Sequence, residues 1–159
     1  MAFTLVDMMV AITIMAIVIA VAMPTLSPDE GSRLIGGARM LASDLEYAQS
    51  VSLANPADVA LVRFREDGDG YWLARESDPE TPMLRPGFSE EAYEIIFGEG
   101  RAALLHDMTI SLDGVTDNTL TFDAFARLTT LDDAVITLQA PTRSVDVTVS
   151  SSTGSVRIQ

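Results

Sequence analysis

Residues 3–23 read FTLVDMMVAITIMAIVIAVAM, and only Thr4, Asp7 and Thr13 among them are polar. As a helix rising about 1.5 Å per residue, this run spans roughly 30 Å, the thickness of a bilayer's hydrocarbon core. Pro24 closes it. A buried core helix would need a polar face to turn outward, and this segment has none. The remaining readings are a secretory signal peptide, a plain membrane anchor, and an anchor that also assembles. Ala20-Val21-Ala22 fits a signal-peptidase cut. Against that cut, no basic residue precedes Arg33, so the positive leading region of a signal peptide is missing.

Asp7 separates the anchors. A carboxylate at the centre of a bilayer helix costs about 2.5–3.5 kcal/mol on insertion scales, and less near the interface. At headgroup depth it can simply stay hydrated. If it serves assembly, it pairs with a cation on a neighbouring chain. With no Lys or Arg nearby in sequence, that cation is an α-amino group freed close to Asp7.

Phe3-Thr4-Leu5-Val6-Asp7, followed by the apolar run to Pro24, resembles the N-terminus of type IV pilins and type II secretion pseudopilins. The resemblance implies that a prepilin peptidase cuts between Ala2 and Phe3 and that the new amine of Phe3 is methylated. Met1 and Ala2 are then the remnant of the prepilin leader. Counted from Phe3, Asp7 stands where the family carries Glu, Pro24 falls on the family's proline, and Ala2 replaces the usual Gly. The resemblance further implies that Asp7 pairs with a neighbouring subunit's N-terminal amine, that Pro24 kinks the helix, and that an inner-membrane assembly platform handles the subunit. Membrane lipid and other pilin subunits are its implied partners.

Beyond Pro24 the pattern changes. Ser27-Pro28-Asp29-Glu30 reads as a capping-box start, with Ser27 at the cap and Glu30 three residues on. Leu34, Ala38, Leu41, Leu45 and Ala48 recur at helical spacing, with Arg39, Asp44 and Glu46 read as off that stripe. An amphipathic helix over 27–55 should end at Asn55-Pro56. The globular head, 56–159, is read as β-rich. Strands are expected at 58–65, 71–73, 108–112, 119–125, 134–138, 144–149 and 155–158. Hairpin turns are expected at Asp67-Gly68-Asp69-Gly70 and Thr153-Gly154. Residues 76–101, rich in Pro, Gly and acid, read as a long variable loop with a helical turn at 90–97. The fold class is therefore α+β: a long N-terminal helix, transmembrane then amphipathic, packed on an antiparallel, β-sandwich-like, pilin-like head. Ala38-Arg39, 41–48, Leu120-Thr121-Phe122 and the closing 153–157 make the chain most similar to the H-type minor pseudopilins and FimT-like minor pilins.

Composition narrows the chemistry. Ten Arg, no Lys and 23 acids give a net charge of −13. Nucleic-acid binding runs on clustered cations and is disfavoured, with Arg143 and Arg157 the only late candidates. With no Cys, disulfides and thiolate sites are excluded, and a single His106 without an evident partner makes catalysis improbable. Asp67 and Asp69 could contribute to a calcium loop, but the distal Glu of the full pattern is missing, and an acidic hairpin turn is the better reading. Glu90-Glu91 and Asp132-Asp133 read as solvated surface, and Trp72 as core. No cofactor is expected.

The function these observations suggest is structural rather than enzymatic. The chain is expected to be a minor pilin or pseudopilin subunit, single-pass in the inner membrane with its head in the periplasm, then part of a filament. Two alternatives stay open: a major filament subunit, and a secreted or anchored β-rich binding domain with residues 1–22 as signal peptide or anchor.

Overall fold

The computed structural model describes residues 5–22, 29–88 and 90–159. Helix α1 spans Leu5–Ala22 and helix α2 spans Glu30–Ala54. Nine strands follow: β1 (Ala60–Phe64), β2 (Gly70–Arg75), β3 (Asp78–Pro82), β4 (Glu94–Ile96), β5 (Thr109–Asp113), β6 (Thr119–Thr121), β7 (Ala134–Gln139), β8 (Ser144–Val149) and β9 (Val156–Ile158). A short 3-10 helix, Gly100–Leu105, joins β4 to β5.

The strands form two antiparallel sheets. One is ordered β3-β2-β1-β6, with β4 also pairing to β2; the other is ordered β5-β7-β8-β9. Helix α2 lies against β1 of the first sheet, β7, β8 and β9 of the second, and the 3-10 helix. Its stripe Leu34, Ala38, Leu41, Leu45 and Ala48 is buried, as the helical spacing predicts. Alternate residues of the strands meet that stripe: Val62 and Phe64 from β1, Tyr71 and Leu73 from β2, Ile136 and Leu138 from β7, Val147 and Val149 from β8. At Gly37 the helix packs closely on the rest of the head. A Cβ there would sit 3.1 Å from side-chain atoms of both Leu105 and Leu138, so its absence lets the helix approach the sheet and the 3-10 segment closely.

The two sheets are stitched together at the β1–β2 turn. The Ile110 amide donates to the Gly68 carbonyl at 2.8 Å. Gly68 has φ +69°, and a Cβ there would lie 2.6 Å from the Ile110 carbonyl oxygen. Only glycine satisfies both conditions. The predicted turn over 67–70 thus forms, and it also docks one sheet on the other.

Three expectations need correction. Residues 76–101 are not a loop: β3 and β4 lie within them, both paired to β2, with a further bridge between Leu84 and Ala92. The segment 90–97 is extended rather than helical because Tyr93 and Ile95 alternate into the core. The helix start also differs. The cap of α2 is Asp29, without a side-chain capping bond, while Ser27 and Pro28 lie outside the described residues. The Glu30 carboxylate instead accepts from the backbone amide and the hydroxyl of Thr142, tying the helix start to the β7–β8 turn.

Helix α1 contributes nothing to this core. Every large apolar side chain from Leu5 to Ile19 is more than half exposed, whichever way it points. Its 18 residues amount to roughly 27 Å. Among the described residues no helix is long and apolar enough to cross a membrane. The apolar run read from the sequence extends past α1 at both ends, where Phe3, Thr4 and Met23 lie outside the described residues.

Candidate functional site

The most exceptional surface of the chain is α1 itself. The sequence LVDMMVAITIMAIVIAVA builds a helix apolar on all sides, with Asp7 in the first turn as its only charge. Thr13 does not make it amphipathic, because its hydroxyl donates to the Met9 carbonyl at 2.7 Å and is absorbed into the helix. Asp7 is exposed. Of the other residues tied to processing and assembly, Ala2, Phe3 and Pro24 lie outside the described residues.

Within the head, polar chemistry concentrates at one place that sequence reasoning missed. Asp44 is buried, and both its carboxylate oxygens are used. Tyr71 donates to Oδ2 at 2.6 Å, Tyr93 donates to Oδ1 at 2.9 Å, and Arg101 pairs with Oδ2. The Arg101 guanidinium also sits over the Tyr93 ring at 5.2 Å, and the Tyr47 ring stacks with that of Tyr93 at 5.4 Å between centroids. Burial pushes the Asp44 carboxyl up, against the hydrogen bond from Tyr71 and the Arg101 charge, which pull it down. Burial and the facing carboxylate push the Tyr71 hydroxyl well above its ordinary value. Asp44 was read as off the helix stripe, yet it lies three residues after Leu41 and four before Ala48, which puts it on the buried face. The cluster locks α2 to β2, to Tyr93 just before β4, and to the 3-10 helix. With both oxygens of Asp44 partnered, the cluster forms a structural joint between the helix and the sheet.

The other candidates fall on the surface. Asp67 is exposed in the β1–β2 turn, while Asp69 accepts from Arg65 Nε at 2.6 Å. Among the described residues no three His, Cys, Asp or Glu side chains gather as a metal site. His106 and Glu90 are exposed, and Glu91 pairs with Arg85. Asp132 is exposed, and Asp133 accepts from the backbone amide and hydroxyl of Ser151. Trp72 is not core. It lies half-buried on the outer face of β2, donating to the Pro79 carbonyl with Arg63 over its ring, because the neighbouring Tyr71 takes the inward position.

No protein-family model matches the chain, and no curated protein matches it in sequence. Solved structures do match in fold. The type IV minor pilin FimU of Pseudomonas aeruginosa superposes with a TM-score of 0.57 at 16% identity, covering 82% of this chain and 90% of FimU. The minor pseudopilin EpsH from the type 2 secretion system of Vibrio cholerae gives a TM-score of 0.57 at 11% identity, covering 80% of this chain and 96% of EpsH. The fold is that of the minor pilins and pseudopilins. In this pilin-like fold the strands within 76–101 and the Asp44 joint belong to the head, and α1 is the element whose surface the head leaves uncovered.

Proposed function

We propose that the chain is a minor pilin or pseudopilin subunit, of the H-type or FimT-like group, which assembles through its N-terminal helix into a type IV pilus or type II secretion pseudopilus. The observation that carries this reading is the uniformly apolar, exposed α1 with its single acid, attached to a head of minor-pilin fold. In this reading the peptidase cuts between Ala2 and Phe3, and the methylated amine of Phe3 is met by Asp7 of a neighbouring helix. In a low-dielectric helix bundle their attraction is large, but so is the cost of drying both charges. The pair therefore acts as a register device more than as a source of affinity. Pro24 supplies the bend between anchor and head. The helix waits in the inner membrane with the head in the periplasm, then moves into the filament with help from the assembly platform. The role is structural, and no residue is assigned to catalysis.

The test is the intact mass and N-terminal sequence of the protein from native membranes, expressed from the complete gene. A mature chain starting at N-methylated Phe3 supports the reading. A chain starting at Met23 would mean cleavage after Ala22, and the filament reading would fail. Asp7→Leu should then still reach the membrane but drop out of filaments, seen as loss from the sheared filament fraction.

A further inference from the structure

The outer face of the first sheet carries a row that the core does not claim. Val62 and Phe64 of β1 and Tyr71 and Leu73 of β2 belong to the core, so Arg63 and Trp72 between them face outward. Arg63 lies opposite Thr119 of β6 on one side and opposite Trp72 on the other. Across these three strands the row is roughly 10 Å wide. It borders a cavity of about 800 Å³, which is also lined by the turn at Asp117 and Asn118.

That turn is closed by the Thr119 amide, which donates to the Thr116 carbonyl at 3.1 Å. Asp117 has φ +54° and Asn118 has φ +52°. Glycine takes this conformation without strain, yet the chain carries two polar side chains there, both on the cavity. The geometry of the turn does not call for them.

The side chains around the cavity suit a polyol. Arg63 sits over the Trp72 ring at 5.7 Å and pairs with Glu80, and Arg65 pairs with Asp69 and Glu94. Guanidiniums only donate and carboxylates only accept, and here they stand side by side. A hydroxyl does both, so a ligand dense in hydroxyls serves both kinds of group. The half-buried Trp72 ring beside them adds an apolar surface for the C–H side of a sugar ring. Two arginines, Arg63 and Arg65, line the cavity against four acids, Glu66, Asp67, Glu80 and Asp117, and this excess repels anions such as phosphate. The place of a cation over the ring is already taken by Arg63.

We propose that this cavity binds a neutral oligosaccharide. A sugar ring packs against Trp72, its hydroxyls accept from Arg63 and donate to Glu80 and Asp117, and Asn118 bonds to it from the turn.

The test uses the full chain in a detergent without a sugar headgroup. Trp72 is the only tryptophan, so its emission reports on the site directly. Chitohexaose, cellohexaose and maltohexaose are titrated separately, which distinguishes an amide-bearing β-linked chain from plain β- and α-linked glucans. At least one should shift the emission saturably, with a Kd of about 1 mM or tighter. The double variant Asp117→Gly, Asn118→Gly keeps the turn and should leave the thermal melt essentially intact while weakening that sugar about tenfold. Hexagalacturonate, an acidic counterpart, should not bind. Silence with all three neutral sugars, undiminished binding by the double variant, or equally tight binding of hexagalacturonate overturns the proposal. If octalysine binds while the sugars stay silent, the face is an acidic platform for basic peptides and the proposal also falls. These readouts concern the head alone, so they succeed or fail independently of Phe3 processing and of filament assembly.

Discussion

Asp44→Ala should be the most damaging single polar substitution in the head. Three donors lose their acceptor at once. The Tyr71 hydroxyl is fully buried, so leaving it unpaired costs about 1–3 kcal/mol. The Tyr93 hydroxyl, slightly more accessible, adds a smaller amount of the same kind. Removing one partner of a fully buried ion pair costs about 3–5 kcal/mol, but the Arg101 side chain is 29% exposed and can turn to water. Together these place Asp44→Ala near 3 kcal/mol, with Asp44→Asn, which keeps one acceptor, at about 1–2 kcal/mol. Urea unfolding of the full chain in mild detergent, followed by Trp72 fluorescence, measures both. In a Tyr71→Phe background the orphaned hydroxyl is gone, so Asp44→Ala should cost at least about 1 kcal/mol less there. A cost below about 1 kcal/mol, or strict additivity with Tyr71→Phe, would refute the joint. The pH dependence has a defined sign. Burial raises the folded-state pKa of Asp44, so the folded chain holds this proton more readily than the unfolded one. That contribution is complete below the ordinary Asp value of about 3.9 and is lost as pH rises through the raised value. Wild type should therefore gain on Asp44→Asn as pH falls.

Gly154→Ala should lower stability by more than about 2 kcal/mol, because φ is +71° and the new methyl would run into the Ala126 carbonyl; a thermal melt reads it directly. Ala126→Gly should do the opposite, raising the melting temperature by the equivalent of about 0.5–1 kcal/mol, since Ala126 holds φ +60° at a cost that glycine's greater freedom when unfolded only partly offsets. Asp107 runs against Asp44 in its pH response: the bidentate hydrogen bonds from Arg33 hold its carboxyl below the usual range, so its contribution is present at neutral pH and lost as pH falls through the lowered value. Asp107→Asn should flatten that acid limb, and high salt should weaken it in the wild type.

Much of the architecture was legible because one-sided burial writes a period into the chain. The α2 stripe and the alternation of Val145, Val147 and Val149 each face one partner, so helix and strand periods survive in the sequence. The segment 76–101 was opaque for the opposite reason. Strand β3 is mostly exposed and holds two prolines, and β4 is three residues long, so neither shows a period and only their pairing with β2 makes them strands. Asp44 was misread because charge outweighed position. Its partners Tyr71, Tyr93 and Arg101 come from separate parts of the chain, and no local pattern joins them.

The division between α1 and the head follows from magnitude. The head completes its core with residues from Leu34 onward and leaves α1 to find its own environment. Eleven large apolar side chains from Leu5 to Ile19 stay exposed, each 53–77%. At about 1.5–3 kcal/mol for full burial of such a side chain, their unclaimed burial is on the order of 10 kcal/mol or more. That is comparable to the whole stability of a typical domain, about 5–15 kcal/mol. A term so large sets α1 apart from the head energetically. Because α1 lacks a polar face, no one side of it can be satisfied by the head alone.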